Sequence, residues 1–357
     1  MEKYNRDISM EEYSLATLTN HPDLSHLIEQ ITHSNIGDDL LQDKIKELVN
    51  KSLAYDLALD ALAVSEGHKE FDTILDFYDK FQEKPKVAET EYVTDDLEAL
   101  YNQTVHTPGL RWRLKALNQS LGSLRKGDFG FIFSRTETGK TTFLASEVTH
   151  FAEQTSSPIL WINNEEGGSK VKIRVMQAAL NETLTELFLD RPKSMQRYLE
   201  KTHGNIRIYD SALISKRQIE HICKELHPAC IVIDQIDKIK GFDGDRNDLK
   251  LGAIYIWARE LAKTYCPVLG ITQAAVTGEG KKWLTTEDIA ESKTSKAAEA
   301  DFILGIGKIN DLNYEQIRFL HLSKNKLAGD EDTIPGQRHG RMEVLIDPDR
   351  ARYKDLV

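Results

Sequence analysis

The chain has 357 residues, of which 40% are hydrophobic and 29% are charged, enough for one large core and a smaller domain of an ordinary globular protein. We expect no membrane segment, because no apolar run approaches the length that crosses a bilayer and the first residues do not resemble a signal peptide. The three cysteines, Cys223, Cys230 and Cys266, form no C-x-x-C pair, which argues against a zinc ribbon or a disulfide framework and favours the reducing cytoplasm.

The net charge of −11 is distributed unevenly along the chain. Residues 1–100 hold 9 Lys and Arg against 23 Asp and Glu, whereas the remaining residues hold 37 against 34. Because proteins bind nucleic acids with Lys and Arg that neutralise phosphates, we expect the first hundred residues to avoid DNA. The rest of the chain is neutral enough to carry a local basic channel.

Residues 1–82 are predicted to form an acidic helical domain. Apolar residues recur at helical spacing from Asp39 to about Val64, and a second amphipathic pattern begins at Phe71. Residues 83–108 predict a polar linker that includes a short helix around Asp95–Gln103. The amino-terminal domain contains no chemical motif, so we expect it to pack or to contact other proteins.

Residues 109–357 alternate short apolar runs with helical stretches. Crossover helices between buried strands are typical of an α/β protein with a largely parallel sheet, whose ligands bind at the carboxyl ends of the strands. The predicted strands are Gly130–Phe133, Ile159–Ile162, Ile206–Tyr209, Ile231–Ile233, Val268–Thr272, Phe302–Ile306, Ile317–Leu322 and Met342–Ile346.

A polar loop that ends in Gly-Lys-Thr follows the first predicted strand. Such a loop lets backbone N–H groups cradle phosphates at the amino terminus of a helix. Lys140 is placed to reach the β and γ phosphates, and the Thr141 hydroxyl to help hold Mg²⁺. The loop departs from G-x-x-x-x-G-K-[ST] at its first position, where Ser134 replaces glycine. The candidate nucleotide-binding residues are Ser134, Arg135, Thr136, Glu137, Thr138, Gly139, Lys140, Thr141 and Thr142.

Three further strands end in polar residues that suit a hydrolytic site. Asp234 would orient Mg²⁺ through a water molecule, Glu165 or Glu166 would polarise the attacking water, and Gln273 would sense the γ-phosphate. A single polar residue after a buried strand is common in α/β proteins. The ordered set of a loop, a glutamate, an aspartate and a glutamine on four separate strands predicts hydrolysis of ATP, or of another NTP or dNTP.

This ordered set resembles the RecA superfamily of P-loop ATPases, and within it the DnaB-type replicative helicases, including the helicase half of phage primase–helicases. The resemblance covers roughly residues 105–350 and begins with the segment from Leu110 to Asp128. Its most discriminating part runs from Asp288-Ile-Ala-Glu-Ser to Ala-Asp301 and is similar to the family's D-x-x-E-S … A-D segment. The family also accepts a small residue other than glycine at the position of Ser134.

The resemblance assigns further roles to individual residues. Lys324-Asn-Lys326 is similar to the family's K-x-R element, which implies that both lysines project into the nucleotide site of a neighbouring subunit. A lysine at position 326 lacks the guanidinium fork of arginine, so Arg338 and Arg341 are alternative candidates. The resemblance favours Glu165 as the general base, with Glu166 as the alternate.

The family resemblance also implies an assembly and its partners. It implies a homo-oligomer, usually a hexameric ring, that translocates on single-stranded DNA, commonly 5′ to 3′, and unwinds forked DNA. Residues 1–90 would contact a primase, a loader or a polymerase, and a phage-encoded member would act in the host cytoplasm. The candidate DNA-binding residues, for which a role as solvated loop charges weighs equally, are Lys238, Lys240, Arg246, Lys281 and Lys282.

Two other functions share this set of motifs. A RecA-type recombinase uses the same loop, glutamate, aspartate and glutamine, and a ring-forming nucleotide-binding adaptor needs only the phosphate loop. The Asp288–Asp301 segment favours the helicase over the recombinase. The presence of Glu165 and Gln273 favours turnover over simple nucleotide binding.

Overall fold

The computed structural model describes residues 38–69, 71, 73–74, 96–98, 109–242, 246–327 and 340–356. The chain divides into two compact units, residues 1–93 and 94–357. Most of the amphipathic pattern that begins at Phe71, the predicted linker and Arg338 lie outside the described residues. In the part of the chain that is described, no helix is long and apolar enough to cross a membrane.

The described part of the first unit is mainly one long helix, α1 (Asp38–Ser65). Its bounds match the helix that apolar spacing predicts between Asp39 and Val64. Tyr55, Leu59 and Leu62 are exposed on its second half.

The second unit is built on a nine-stranded sheet with the order β3-β2-β4-β5-β1-β6-β7-β8-β9. The first six strands in this order are parallel, and β6 to β9 form an antiparallel extension. The strands are β1 (Phe129–Ser134), β2 (Ile159–Asn163), β3 (Ile206–Asp210), β4 (Cys230–Asp234), β5 (Val268–Gln273), β6 (Phe302–Gly307), β7 (Ile317–Asn325), β8 (Arg341–Asp347) and β9 (Arg352–Asp355).

Helices cover both faces of this sheet. They are α2 (Lys115–Leu121), α3 (Lys140–Ala152), α4 (Gly168–Leu180), α5 (Leu184–Leu189), α6 (Arg191–Thr202), α7 (Lys216–Leu226), α8 (Asn247–Thr264) and α9 (Lys293–Glu299). Successive residues of β1 point to opposite faces, so Ile132 joins a core beneath α3 and α4, whereas Phe131 and Phe133 join a core beneath α8. Every strand that the sequence predicts is confirmed, and so is the α/β class. The sequence prediction omitted β9.

The parallel strands bring four carboxyl ends together. β2, β4, β5 and β1 are consecutive neighbours, with Asn163 paired with Asp234 and Ser134 paired with Gln273 in the register of the sheet. Loops that leave the carboxyl ends of neighbouring parallel strands share one edge. The residues that the sequence singles out therefore meet at a single edge.

One buried carboxyl group makes stability depend on pH. Glu147 in α3 is fully buried, and its Oε2 accepts a hydrogen bond of 2.6 Å from the backbone N–H of Arg113. Among the described residues Oε1 has no hydrogen-bond partner. Burial raises the pKa of Glu147 from 4.5 to about 7, opposed by the positive charge of Arg113. The folded state therefore holds this proton more tightly than the unfolded state does.

Glu147→Gln is expected to remove this pH dependence. Wild-type protein should lose on the order of 2 kcal/mol of unfolding free energy as the pH rises from 5 to 8, because the unfolded state releases the proton at lower pH than the folded state. The glutamine variant should gain this amount relative to wild type over the same range, as measured by urea unfolding at both pH values. The exposed control Glu200→Gln should track wild type, and parallel curves for Glu147→Gln and wild type would contradict the assignment.

Candidate active site

The loop between β1 and α3 is shaped by a glycine. Gly139 has φ +107°, a conformation that L side chains rarely adopt, and a Cβ there would lie 2.6 Å from Ile346 Cδ1. The Tyr353 hydroxyl lies 3.3 Å from the carbonyl oxygen of Gly139 and donates a hydrogen bond to it. The antiparallel extension of the sheet thus packs directly against the phosphate loop.

Lys140 is the first residue of α3 and is buried at 8% exposure. Its Nζ donates to the carbonyl oxygens of Ser134, at 3.4 Å, and Arg135, at 3.2 Å. Burial lowers the pKa of Lys140, whereas the negative charges of Glu165 and Asp234 act in the opposite direction. An ammonium group held in this way near the carboxylates is ready to bind an additional anion such as a phosphate.

Asp234 ends β4 and is buried at 2% exposure. Burial, and then the negative charge of Glu165, raise its pKa to about 7, and Lys140 opposes this shift. Within the described residues its Oδ1 has no hydrogen-bond partner. A buried carboxylate oxygen without a donor, near a hydroxyl such as that of Thr141, is suited to a hard divalent cation such as Mg²⁺.

The two glutamates after β2 have different surroundings. Glu166 Oε2 forms an ion pair of 2.6 Å with Arg174 of α4. Glu165 is exposed, and no ion pair within the described part of the chain engages it. A general base needs an available carboxylate, so the geometry favours Glu165 for that role.

Two asparagines fix the loop that carries these glutamates. Asn163 Nδ2 donates to Asp210 Oδ1 at 2.6 Å, and the other oxygen of Asp210 accepts from the Gly168 backbone N–H at 2.8 Å. The Asn164 side chain donates to the carbonyl oxygen of Gln235 at 2.9 Å and accepts from the backbone N–H of the same residue. Asn164 therefore links the glutamate loop to the residue that follows Asp234.

A cavity of about 330 Å³ opens at this edge of the sheet. It contains four residues of the predicted phosphate loop that follow Thr138, as well as both glutamates. The sequence prediction missed the two arginines of its lining: Arg174, and Arg318 of β7, whose Nε donates to the Thr138 carbonyl oxygen at 2.7 Å. The lining residues are Thr136, Glu137, Gly139, Lys140, Thr141, Thr142, Glu165, Glu166, Arg174, Arg318, Ile346 and Pro348.

The remaining predicted loop and sensor residues lie beside the cavity. Ser134 is buried at the end of β1, and Thr138 supplies the carbonyl oxygen to Arg318. Arg135 forms an ion pair of 2.8 Å with Glu279. Gln273 is half-buried next to Ser134 in the register of the sheet, at the same edge as Asp234.

The predicted pair Lys324 and Lys326 lies at the other edge of the sheet. Lys324 pairs with Ile303 near the beginning of β6, whereas Ser134 pairs with Ile306 near its end. Lys324 Nζ donates to the carbonyl oxygens of Ala297 and Ala298 in α9. Burial, and then the positive charge of Lys326, lower the pKa of Lys324. Neither lysine joins the cavity of its own chain.

Comparison with known proteins agrees with this geometry. A model of the family described as "AAA domain" matches residues 94–279, slightly more than half of the chain. The chain belongs to this AAA domain family. The prediction of an ATPase-type enzyme is therefore confirmed at the level of the family.

Two solved structures share the fold of this AAA domain protein. The ATPase domain of a phage helicase aligns with 73% of this chain and 97% of its own, at 15% identity and a TM-score of 0.62. A DnaB-like replicative helicase, whose structure was studied with its interactions with primase, aligns with 100% of this chain and 89% of its own, at 14% identity and a TM-score of 0.65. The predicted resemblance to DnaB-type helicases is confirmed as a shared RecA-like fold.

The candidate DNA-binding residues of the AAA domain protein fall into two groups. Lys238 and Lys240 are exposed after β4, and within the described residues neither forms an ion pair. Three other candidates are paired with carboxylates. These pairs are Arg246 with Asp248, Lys281 with Asp288, and Lys282 with Glu343. The alternative finger candidate Arg341 is exposed and lies over the ring of Trp283.

Asn164→Ala is expected to impair hydrolysis and folding together. The change leaves the backbone N–H and carbonyl of Gln235 without their side-chain partner, which should cost about 2 kcal/mol of unfolding free energy. Because Gln235 follows Asp234, the rate of Mg²⁺-dependent ATP hydrolysis should fall about tenfold. Urea unfolding and a steady-state ATPase assay measure both effects. The exposed control Asn313→Ala should change neither, and a fully active Asn164→Ala protein would disprove the link.

Proposed function

We propose that this AAA domain protein is an ATP-dependent replicative DNA helicase: a hexameric ring that translocates on single-stranded DNA and unwinds duplex DNA. The observation that carries the proposal is the convergence of Lys140, Asp234, Glu165 and Gln273 at one edge of the sheet. Such a set suits hydrolysis of a phosphoanhydride bond. The shared fold with a DnaB-like replicative helicase supports the coupling of this hydrolysis to DNA.

The proposed chemistry assigns one task to each residue. Backbone N–H groups of the loop and Lys140 bind the β and γ phosphates, and Lys140 stabilises the negative charge on the transferred phosphoryl oxygens. Glu165 accepts the proton of the water that attacks the γ-phosphorus, and ADP leaves. Mg²⁺, when bound by Thr141 and Asp234, neutralises phosphate charge. Gln273 orients the water and senses the γ-phosphate.

The oligomer and the DNA contact are further parts of the proposal. Lys324 lies too far from the cavity of its own chain to act there, which supports a role in the site of a neighbouring subunit. Lys238 and Lys240 are the preferred DNA contacts, because they are exposed and no carboxylate among the described residues pairs with them. A primase, loader or polymerase would bind residues 1–90, and the helicase would act in the cytoplasm.

Substitution of Lys140 and Glu165 separates binding from hydrolysis. Lys140→Ala should abolish turnover, because the phosphate charge loses its buried ammonium partner. Glu165→Gln should bind a fluorescent ATP analogue as wild type does, while its turnover falls about 100-fold or more, since the general base is lost. The matched control Glu166→Gln should keep most of the activity, because that carboxylate is engaged by Arg174. The reverse ranking of the two glutamine variants would assign the base to Glu166.

Mixing two inactive variants tests the shared site. Lys140→Ala and Lys324→Ala should each be inactive alone, because one lacks its phosphate ligand and the other its contribution to the neighbouring site. An equimolar mixture should recover up to about a quarter of wild-type ATPase activity, since complete sites form wherever an intact loop meets an intact Lys324 across a heterologous interface. No recovery in mixed rings that are verified by mass would contradict a role for Lys324 in the neighbouring site.

A forked-duplex assay tests the function itself. Wild-type protein with ATP and Mg²⁺ should release the labelled strand of a fork with single-stranded arms, and Lys140→Ala should not. Forks with one blocked arm report the polarity of translocation. Strand exchange between homologous DNAs without unwinding would favour the recombinase, and nucleotide-driven ring assembly without turnover would favour the adaptor.

A further inference from the structure

Two lysines are buried in the part of the chain that the structure describes. One is Lys140 of the phosphate site, and the other is Lys296 of α9, which has no exposed surface. Lys296 Nζ donates to Asp237 Oδ2 at 2.8 Å, to Thr272 Oγ1 at 3.3 Å and to the Ala290 carbonyl oxygen at 3.0 Å. All three of its donor positions are thus used.

Asp237 is the centre of this buried network. Besides Lys296, it accepts a hydrogen bond of 2.5 Å from the Thr272 hydroxyl and one of 3.1 Å from the Tyr255 hydroxyl of α8. The ammonium of Lys296 also lies 5.5 Å from the centre of the Tyr255 ring. Four side chains from four separate elements are therefore fixed by one charge pair.

The network sits directly behind the candidate active site. Asp237 lies three residues after Asp234, and Thr272 immediately precedes Gln273. The Lys296–Asp237 pair thus joins the loop after β4 to the end of β5. None of its members lines the nucleotide cavity. A change in the network should therefore alter the spacing of Asp234 and Gln273 without removing a nucleotide contact.

We propose that Lys296 is a positioning residue for hydrolysis, which holds the carboxyl ends of β4 and β5 at the spacing that the reaction requires. The inference rests on the proposed ATPase function and extends it to a residue outside the cavity. A buried ion pair adds little net stability compared with well-packed apolar side chains. Its consequence here is a defined geometry, because the charges and the Thr272 hydroxyl permit one arrangement of these elements.

Lys296→Met tests the positioning role. Methionine has a similar length and no charge, so the pocket stays filled while the link to Asp237 is lost. We expect kcat for ATP hydrolysis to fall about 10- to 100-fold, as a small misplacement of reacting groups does, while KM and the Kd of a fluorescent ATP analogue stay within about twofold. The control Lys293→Met makes the same change at an exposed position of the same helix and should behave as wild type.

Two more variants separate positioning from folding, because Lys296→Met leaves the Asp237 carboxylate without its buried partner. Lys296→Met with Asp237→Asn removes both charges, so this protein should melt closer to wild type than Lys296→Met does and still have low kcat. Thr272→Val keeps the ion pair and the shape, and should lower kcat severalfold. Wild-type kcat in either well-folded variant would overturn the proposal, since the network would then be structural only.

The outcomes distinguish this inference from the proposed function. If wild type and Lys293→Met hydrolyse ATP and the network variants match them, only the positioning role of Lys296 is wrong. If wild type itself does not hydrolyse ATP, the proposed function fails and the inference fails with it. A loss of ATP binding in the folded variants would also contradict positioning, because it would place Lys296 in nucleotide binding.

Discussion

The site depends on one electrostatic arrangement: the buried ammonium of Lys140 beside the buried carboxylate of Asp234. Each charge is costly to bury, as the lowered pKa of the lysine and the raised pKa of the aspartate show. The lysine can stabilise phosphate oxygens, and the aspartate can hold a cation that the same phosphates also bind. The protein therefore carries a charge pattern that Mg²⁺ and a nucleoside triphosphate together would complete.

Everything around this pair serves to hold it in place. The parallel order β2-β4-β5-β1 brings the two charges to one edge, and the antiparallel extension packs against Gly139 from one side. Asn164 joins the glutamate loop to the residue after Asp234. Lys296 extends the same principle one layer further from the cavity. Catalytic groups on strand ends are thus positioned by neighbours that are distant in the sequence.

The sequence predicts what is local and misses what depends on folding. The strand ends and the Gly-Lys-Thr loop are visible because buried strands are continuous apolar runs, whereas β9 is a short strand of Arg-Tyr-Lys-Asp with no such run. The choice between Glu165 and Glu166 depends on Arg174, whose ion pair only the folded structure reveals. Arg318 reaches Thr138 across 180 positions of the chain, and no spacing in the sequence indicates that contact.

The most direct test of the account is the steady-state rate of ATP hydrolysis by the wild-type protein, measured against the concentration of single-stranded DNA at fixed Mg²⁺. The account predicts turnover that requires Mg²⁺ and rises to a plateau as DNA is added. Tight nucleotide binding without turnover at any DNA concentration would contradict it, because the available Glu165 carboxylate and the buried Asp234 would then have no catalytic role.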